Sequence, residues 1–231
     1  MTSVVIGSAT PVHEDRFGSG AHEPYEYALR RGGGVLCLRD TSGAVSRSTR
    51  IDVGRFLEDA SEPECRIVRR LDGPILDVGC GPGRLVKASI LAGRLALGID
   101  TSPAATELAR AKGLPVLRRS VFHPLPNEGQ WGAALLIDGN IGIGGEPWTL
   151  LQRCARLVHP GGRVVVEAHE DATRDHAFSG VIADDRGRSS LPFPWAEVGS
   201  VALHRHARRA GLTLVREWNE RRRSFAEYAP R

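Results

Sequence analysis

Between residues 74 and 169, five short apolar runs alternate with helical stretches, and no other feature narrows the fold as much. The runs are PILDVGC (74–80), RLALGID (94–100), PVLRRSV (115–121), GAALLID (132–138) and RVVVEAH (163–169). A repeated strand-helix-strand order lays successive strands parallel and covers both faces of the sheet with helices. The intervening stretches GRLVKASILAG and SPAATELARAKG stop at glycine, and PWTLLQRCARLVHPGG stops at Pro160-Gly161-Gly162, as helix ends do. Further on, AEVGSVALHRHARRAG reads as a helix, followed by strands LTLVREW and RRRSFAEYA around a turn at Asn219-Glu220. So short a connection demands antiparallel neighbours. Before residue 74, EPYEYALRR suggests a short helix, VLCLRD-TSG-AVSRSTRI a hairpin and VGRFLEDAS another helix. Residues 1–73 are therefore expected to form an N-terminal helix-and-hairpin cap, and 74–231 the main domain.

A chain of 231 residues with 41% hydrophobic and 25% charged side chains can bury a full core. The net charge of +4 invites a polyanion partner, but the basic residues are dispersed and, apart from Lys87 and Lys112, are all arginine. Without a basic-aromatic stripe this argues against nucleic acid. Cys37, Cys65, Cys80 and Cys154 lie far apart, giving neither a metal-ligand pair nor a disulfide framework. No apolar run approaches the ~20 residues of a membrane span. A cytoplasmic protein with no metal and no membrane partner is expected; oligomeric state is left open.

The first strand runs into Asp77-Val78-Gly79-Cys80-Gly81-Pro82-Gly83-Arg84. A dinucleotide fingerprint would read G-x-G-x-x-G, whereas here the glycines alternate and Arg84 stands where the third would be. Alternating glycines let a ligand approach the backbone, and the carboxylate of Asp77 suits a cationic group better than a pyrophosphate. This block resembles the first motif of the class I S-adenosylmethionine-dependent methyltransferases, and the resemblance extends over residues 74–228. It implies a doubly wound α/β fold with a mostly parallel seven-stranded sheet of order 3-2-1-4-5-7-6, the last strand antiparallel, and S-adenosylmethionine as cofactor. By position, Asp77, Gly79, Cys80, Gly81 and Gly83 would hold its amino-acid end, with Cys80 a small spacer.

The second strand ends at Asp100-Thr101-Ser102, where an acid can accept both ribose hydroxyls and Ser102 can cap the helix begun by Pro103. Ser120, Val121 and Phe122 correspond to the segment that frames the adenine, with serine where an acid is common. Asp138 and Gly139 end the fourth strand beside cofactor and substrate, with Asn140 next to them. The polar-Pro-Pro-aromatic signature of nucleobase amine methylation is absent there: the chain has Asp-Gly-Asn-Ile.

The resemblance implies methyl transfer to an oxygen or nitrogen of a small-molecule acceptor. The alternatives are an NAD-dependent oxidoreductase and a non-catalytic binder of the cofactor or its demethylated product. For a general base the candidates are Asp138, Glu167, His169, Glu170 and His22, with His169 first because it follows VVVEA where the strand opens into the crevice. His22, Tyr25 and Tyr27 are read as a substrate lid, with Asn140 as a further substrate residue. His204 and His206, two apart on a helix, point to different faces and read as solvated, not as a metal pair.

Overall fold

The computed structural model describes residues 17–21, 23–41 and 48–231. In chain order come helix α1 (Pro24–Arg30), strands β1 (Val35–Asp40) and β2 (Ser48–Asp52), helices α2 (Gly54–Leu57) and α3 (Glu62–Arg70), strand β3 (Ile75–Val78) and helix α4 (Arg84–Leu91). Strand β4 (Ala96–Asp100), helix α5 (Pro103–Ala111), strands β5 (Val116–Arg118) and β6 (Trp131–Leu136), helix α6 (Pro147–Leu157) and strand β7 (Val158–Ala168) follow. The chain ends with β8 (Asp175–Ala183), β9 (Phe193–Val198), helix α7 (Ser200–Arg209), β10 (Leu212–Glu220) and β11 (Arg223–Pro230).

The main sheet has the order β10-β11-β7-β6-β3-β4-β5. Strands β5, β4, β3, β6 and β7 are parallel, and β11 lies antiparallel between β7 and β10. This is the expected doubly wound arrangement. Its central strands read as unbroken apolar runs because both faces are covered, and the pleat sorts them. Leu76, Ala134, Leu136, Val164 and Val166 pack with Leu150, Leu151 and Leu203 of α6 and α7, whereas Ile75, Ala133, Leu135 and Val165 pack with Ile67, Val68 and Leu85 of α3 and α4.

The second sheet, β2-β1-β8-β9, is antiparallel throughout and draws on two distant stretches of the chain. Its hairpin β1-β2 and helix α1 are the N-terminal elements foreseen, but β8 and β9 arise from residues 175–198. The helix expected from Ala196 is β9 up to Val198 and α7 only from Ser200. Pro194 hides this strand in the sequence, and it is tolerated because β9 is an edge. Although β2 and β9 are opposite edges, Thr49 Oγ1 donates to Glu197 Oε1 at 2.7 Å. Four flat strands would span about 14 Å, so the sheet arches until its edges meet.

Two boundaries differ from the sequence reading. The hairpin turn is Arg221-Arg222, both at positive φ (47° and 66°), and not Asn219-Glu220; arginines carry no turn signal. VGRFLEDAS contains only the four-residue α2, and the longer helix α3 starts beyond it at a capping box in which Glu64 accepts the Ser61 N–H.

Candidate active site

The turn after β3 places Gly79, Gly81 and Gly83 at φ of 70°, 54° and 85°, a region costly for any other residue. A Cβ on Gly83 would strike Leu114 at 2.7 Å, so this glycine lets α4 pack closely and does not border the cavity. Gly79, Cys80 and Gly81 do line it. Cys80 packs tightly over Gly98, and burial pushes its thiol well above the usual range.

Beneath the turn, Asp77 is buried, with Oδ2 lacking a hydrogen-bond partner among the described residues. Burial raises its carboxyl to about 7, against the opposing pull of Arg84. An orphaned carboxylate oxygen beneath a glycine turn fits a ligand that brings a positive charge. Asp100 ends β4 at the cavity wall, where Oδ2 accepts the Gly81 N–H and Oδ1 the Ser102 N–H, both at 2.8 Å. Burial raises its carboxyl too, against those two bonds. Thr101 lines the same wall, and Ser102 Oγ caps α5 by accepting the Ala105 N–H.

Ser120, Val121 and Phe122 border the cavity on the β5 side, where Ser120 Oγ accepts the Phe122 N–H and the half-exposed Phe122 ring packs close over Gly144. Gly139 and Asn140 close the floor. Asn140 Nδ2 donates to the carbonyls of Val78 and Gly79, which makes it a brace for the glycine turn.

Asp138, at φ 57°, belongs to a charge network that the sequence did not reveal. Its carboxylate pairs with Arg84 and, at 3.2 Å, with Arg55, and Arg223 stands 3.5 Å away. Arg84 also pairs with buried Glu64, whose other oxygen takes Arg223 at 2.8 Å. Glu167 receives Nε and Nη2 of Arg223, both at 2.7 Å, together with the Asp138 N–H. Burial alone would raise Glu64, but Arg84 and Arg223 outweigh it and hold the carboxyl at about 2. The signal for Glu64 was present in the sequence as Ser61-x-x-Glu64; Arg55 and Arg223 had none.

These residues and the arched sheet enclose one cavity of about 780 Å³, in the upper part of the range of small-molecule sites. Opposite the glycine turn its wall is aromatic. Phe17 contacts Tyr25, Phe193 and Trp195 at ring distances of 4.8–5.4 Å, and Phe56 stands beyond Tyr25. Tyr25 is buried, with its hydroxyl near Gly81, and burial together with Asp100 keeps the phenol neutral. Tyr27 lies outside the cavity, where it accepts from Arg31 and carries the Arg188 guanidinium on its ring. His22 falls outside the described residues. His169 lines the cavity, and its Nδ1 accepts the Asp171 N–H at 3.0 Å. His204 and His206 are not simply solvated: they meet Tyr228 and Asp175.

A family model described as a methyltransferase domain matches residues 75–162, the stretch from the glycine turn through α6. The matched stretch is thus a methyltransferase domain, and its glycine turn and sheet order are similar to those of the class I S-adenosylmethionine-dependent methyltransferases. S-adenosylmethionine is the cofactor of this methyltransferase family. The chain is 28% identical over 151 residues to the ubiquinone biosynthesis O-methyltransferase of Alkalilimnicola ehrlichii, covering 61% of this chain and 60% of that one. It is 35% identical over 126 residues to the trans-aconitate 2-methyltransferase of Methylobacterium radiotolerans, covering 49% and 46%. Less than two thirds of either relative is thus spanned. In fold, it matches an S-adenosylmethionine-dependent methyltransferase from Bacteroides fragilis, solved with S-adenosyl-L-homocysteine, with a TM-score of 0.73 at 17% identity, over 92% of this chain and 98% of that one.

Proposed function

We propose that this methyltransferase moves a methyl group from S-adenosylmethionine to an oxygen or nitrogen of a small molecule held under the arched sheet. The observation that carries the reading is that one cavity joins the glycine turn and Asp100 on one wall to the aromatic cap on the other. Cofactor and acceptor can therefore meet without either leaving the protein. The enclosure suits a small acceptor and excludes water from the reacting centre.

In this reading Asp100 accepts the ribose hydroxyls, and the Val121 backbone with Phe122 frames the adenine. Asp77 and the Asp138-Gly139 backbone face the ammonium end. Arg55, which is half-exposed beside Asp138, is suited to the cofactor carboxylate. The cofactor supplies an electrophilic methyl group, and alignment of the acceptor behind it is the protein's main contribution. Tyr25 stands at the junction of the two halves and orients the acceptor.

Calorimetric titration should give tight binding of S-adenosylmethionine and S-adenosylhomocysteine and far weaker binding of NAD. Incubation with methyl-labelled S-adenosylmethionine and a small-molecule extract should place label in the low-mass fraction. Tight NAD binding would overturn the cofactor assignment, and label confined to macromolecules would overturn the acceptor class.

A further inference from the structure

The polar groups of the acceptor half are largely committed, and their commitments restrict what can react there. Asp138 and Glu167 are held by arginines. Glu197 takes Thr49 and, through one oxygen, both Nε and Nη2 of Arg174. Asp100 accepts two backbone N–H groups, and Asp52 caps Gly54. Protonating a carboxylate so engaged would strand its donors, and this holds for Asp100 even though burial raises its carboxyl.

His169 is restricted in a different way. Its Nδ1 lone pair is occupied by the Asp171 N–H at 3.0 Å, so the neutral ring carries its proton on Nε2. The ring therefore offers the cavity a donor. It can take up a proton only by giving up the bond that fixes it. Of the other cavity-lining groups, His123 sits on the adenine side of the loop after β5, and Glu170 is an exposed carboxylate at the rim, away from the enclosed part of the cavity.

Three cavity-lining guanidinium groups have no ion pair among the described residues: Arg119, on the adenine side and donating to the Pro124 carbonyl, and Arg50 of β2 and Arg222 of the β10-β11 turn, which line the cavity from the cap and core sides. Donors on three sides without a placed base suit an acceptor that is already negative. An ammonium would be repelled and would still need to lose a proton before attack.

We infer that the acceptor is a preformed oxyanion, a carboxylate or an ionised phenol, held by Nε2–H of His169 between Arg50 and Arg222. The inference rests on the methyl-transfer reading above and narrows it to O-methylation. The oxygen lone pair forms the new O–C bond, the pair of the breaking C–S bond stays on sulfur, and no proton is left to place. His169 is then a substrate-orienting donor and not a base. The aromatic wall of Phe17, Phe193 and Trp195 adds a preference for a planar body.

Two measurements on the full chain with S-adenosylhomocysteine bound test this. In ¹⁵N NMR of the imidazoles under alkaline conditions, His169 should show bare Nδ1 and protonated Nε2; a proton on Nδ1 would restore the base and overturn the inference. Titration with benzoate, 4-nitrophenolate and benzylamine should shift the Nε2 signal with at least one anion and not with the amine. Arg222→Gln and Arg50→Gln should each weaken that anion by about ten-fold or more, with S-adenosylhomocysteine affinity serving as the check of fold. Preference for benzoate or for nitrophenolate identifies which oxyanion is accepted. A response to benzylamine alone, or to none of the three, would overturn the inference. Failure to bind S-adenosylhomocysteine at all would instead sink the methyl-transfer reading beneath it.

Discussion

The two walls of the cavity are built on different principles. On the side of the glycine turn, parallel strands end together, glycines expose the backbone, and a few carboxylates stand at strand ends; on the cap side, an arched antiparallel sheet presents aromatic side chains from two distant stretches. The first wall depends on buried charge held in place by buried charge, the second on ring packing. A ligand common to many proteins is read by backbone and strand ends, whose positions the fold dictates. A ligand peculiar to one protein is read by side chains that the fold leaves free to vary.

The broadest test of this contrast is to break the charge network under the cofactor wall. Glu64→Ala takes one carboxylate from both Arg84 and Arg223 but leaves them Asp138 and Glu167, so the loss should be about 3 kcal/mol or less, below that of a fully broken buried pair. Denaturant unfolding should show a loss of that order. The network also has a pH signature. Because the folded-state pKa of Glu64 is lowered to about 2, its contribution is present above about pH 4.5 and is lost as pH falls toward 2. A wild-type protein whose acid limb matches that of Glu64→Ala would show that the network adds nothing.

Asp77 should behave in the opposite sense. Its folded-state pKa is raised to about 7, so the stability associated with its protonated form is present below about pH 4 and is lost as pH rises through 7. Asp77→Asn should therefore be more stable than wild type at pH 9, by roughly 4 kcal/mol, with the gap closing as pH falls to about 4. Bound S-adenosylmethionine should narrow the gap at high pH by supplying the missing positive charge. Thermal unfolding at both pH values, with and without cofactor, reads this directly, and a gap independent of pH would refute it.

Asp100→Ala should weaken S-adenosylmethionine and S-adenosylhomocysteine alike, by about ten-fold to several hundred-fold in calorimetry. Because Asp100 also accepts the Gly81 N–H, the loss should lie toward the upper end. Unequal losses for the two ligands would place Asp100 near the sulfur instead of the ribose. The smallest effects belong to the cap. Tyr25→Phe should raise the acceptor KM and leave S-adenosylhomocysteine affinity within about three-fold, whereas Tyr27→Ala should change both by less than two-fold, in line with a surface site. Equal effects at the two tyrosines would dissolve the distinction between cavity and surface drawn for α1.

The same contrast governs what could be read from the sequence. The parallel strands and the residues of the glycine turn were legible because each is a local pattern: apolar runs at strand spacing, glycines where φ must be positive, a carboxylate at a strand end; the order of the strands came with the resemblance those residues carry. Strand β9 was not legible, since Pro194 argues against a strand and only its edge position permits one. Trp195 and Glu197 were lost with it. Nor was the tautomer of His169, which the sequence makes a natural base until the Asp171 N–H is seen on Nδ1. Glu64 shows the intermediate case, in that its capping box marks a helix start but not the arginines that come to it from α4 and β11.

The pairing of β1 with β8 has a consequence for how the protein is made. Cys37 lies opposite Ala183, and Arg39 opposite Val181, so β1 must wait on the ribosome until the five parallel strands, glycine turn included, have been synthesised. Domains tend to fold as their chain emerges, and closing so long a loop is slow beside local pairing. The nascent chain can therefore complete its nucleotide pocket first and add the roof afterwards, with an early ligand already inside to favour the folded form by mass action.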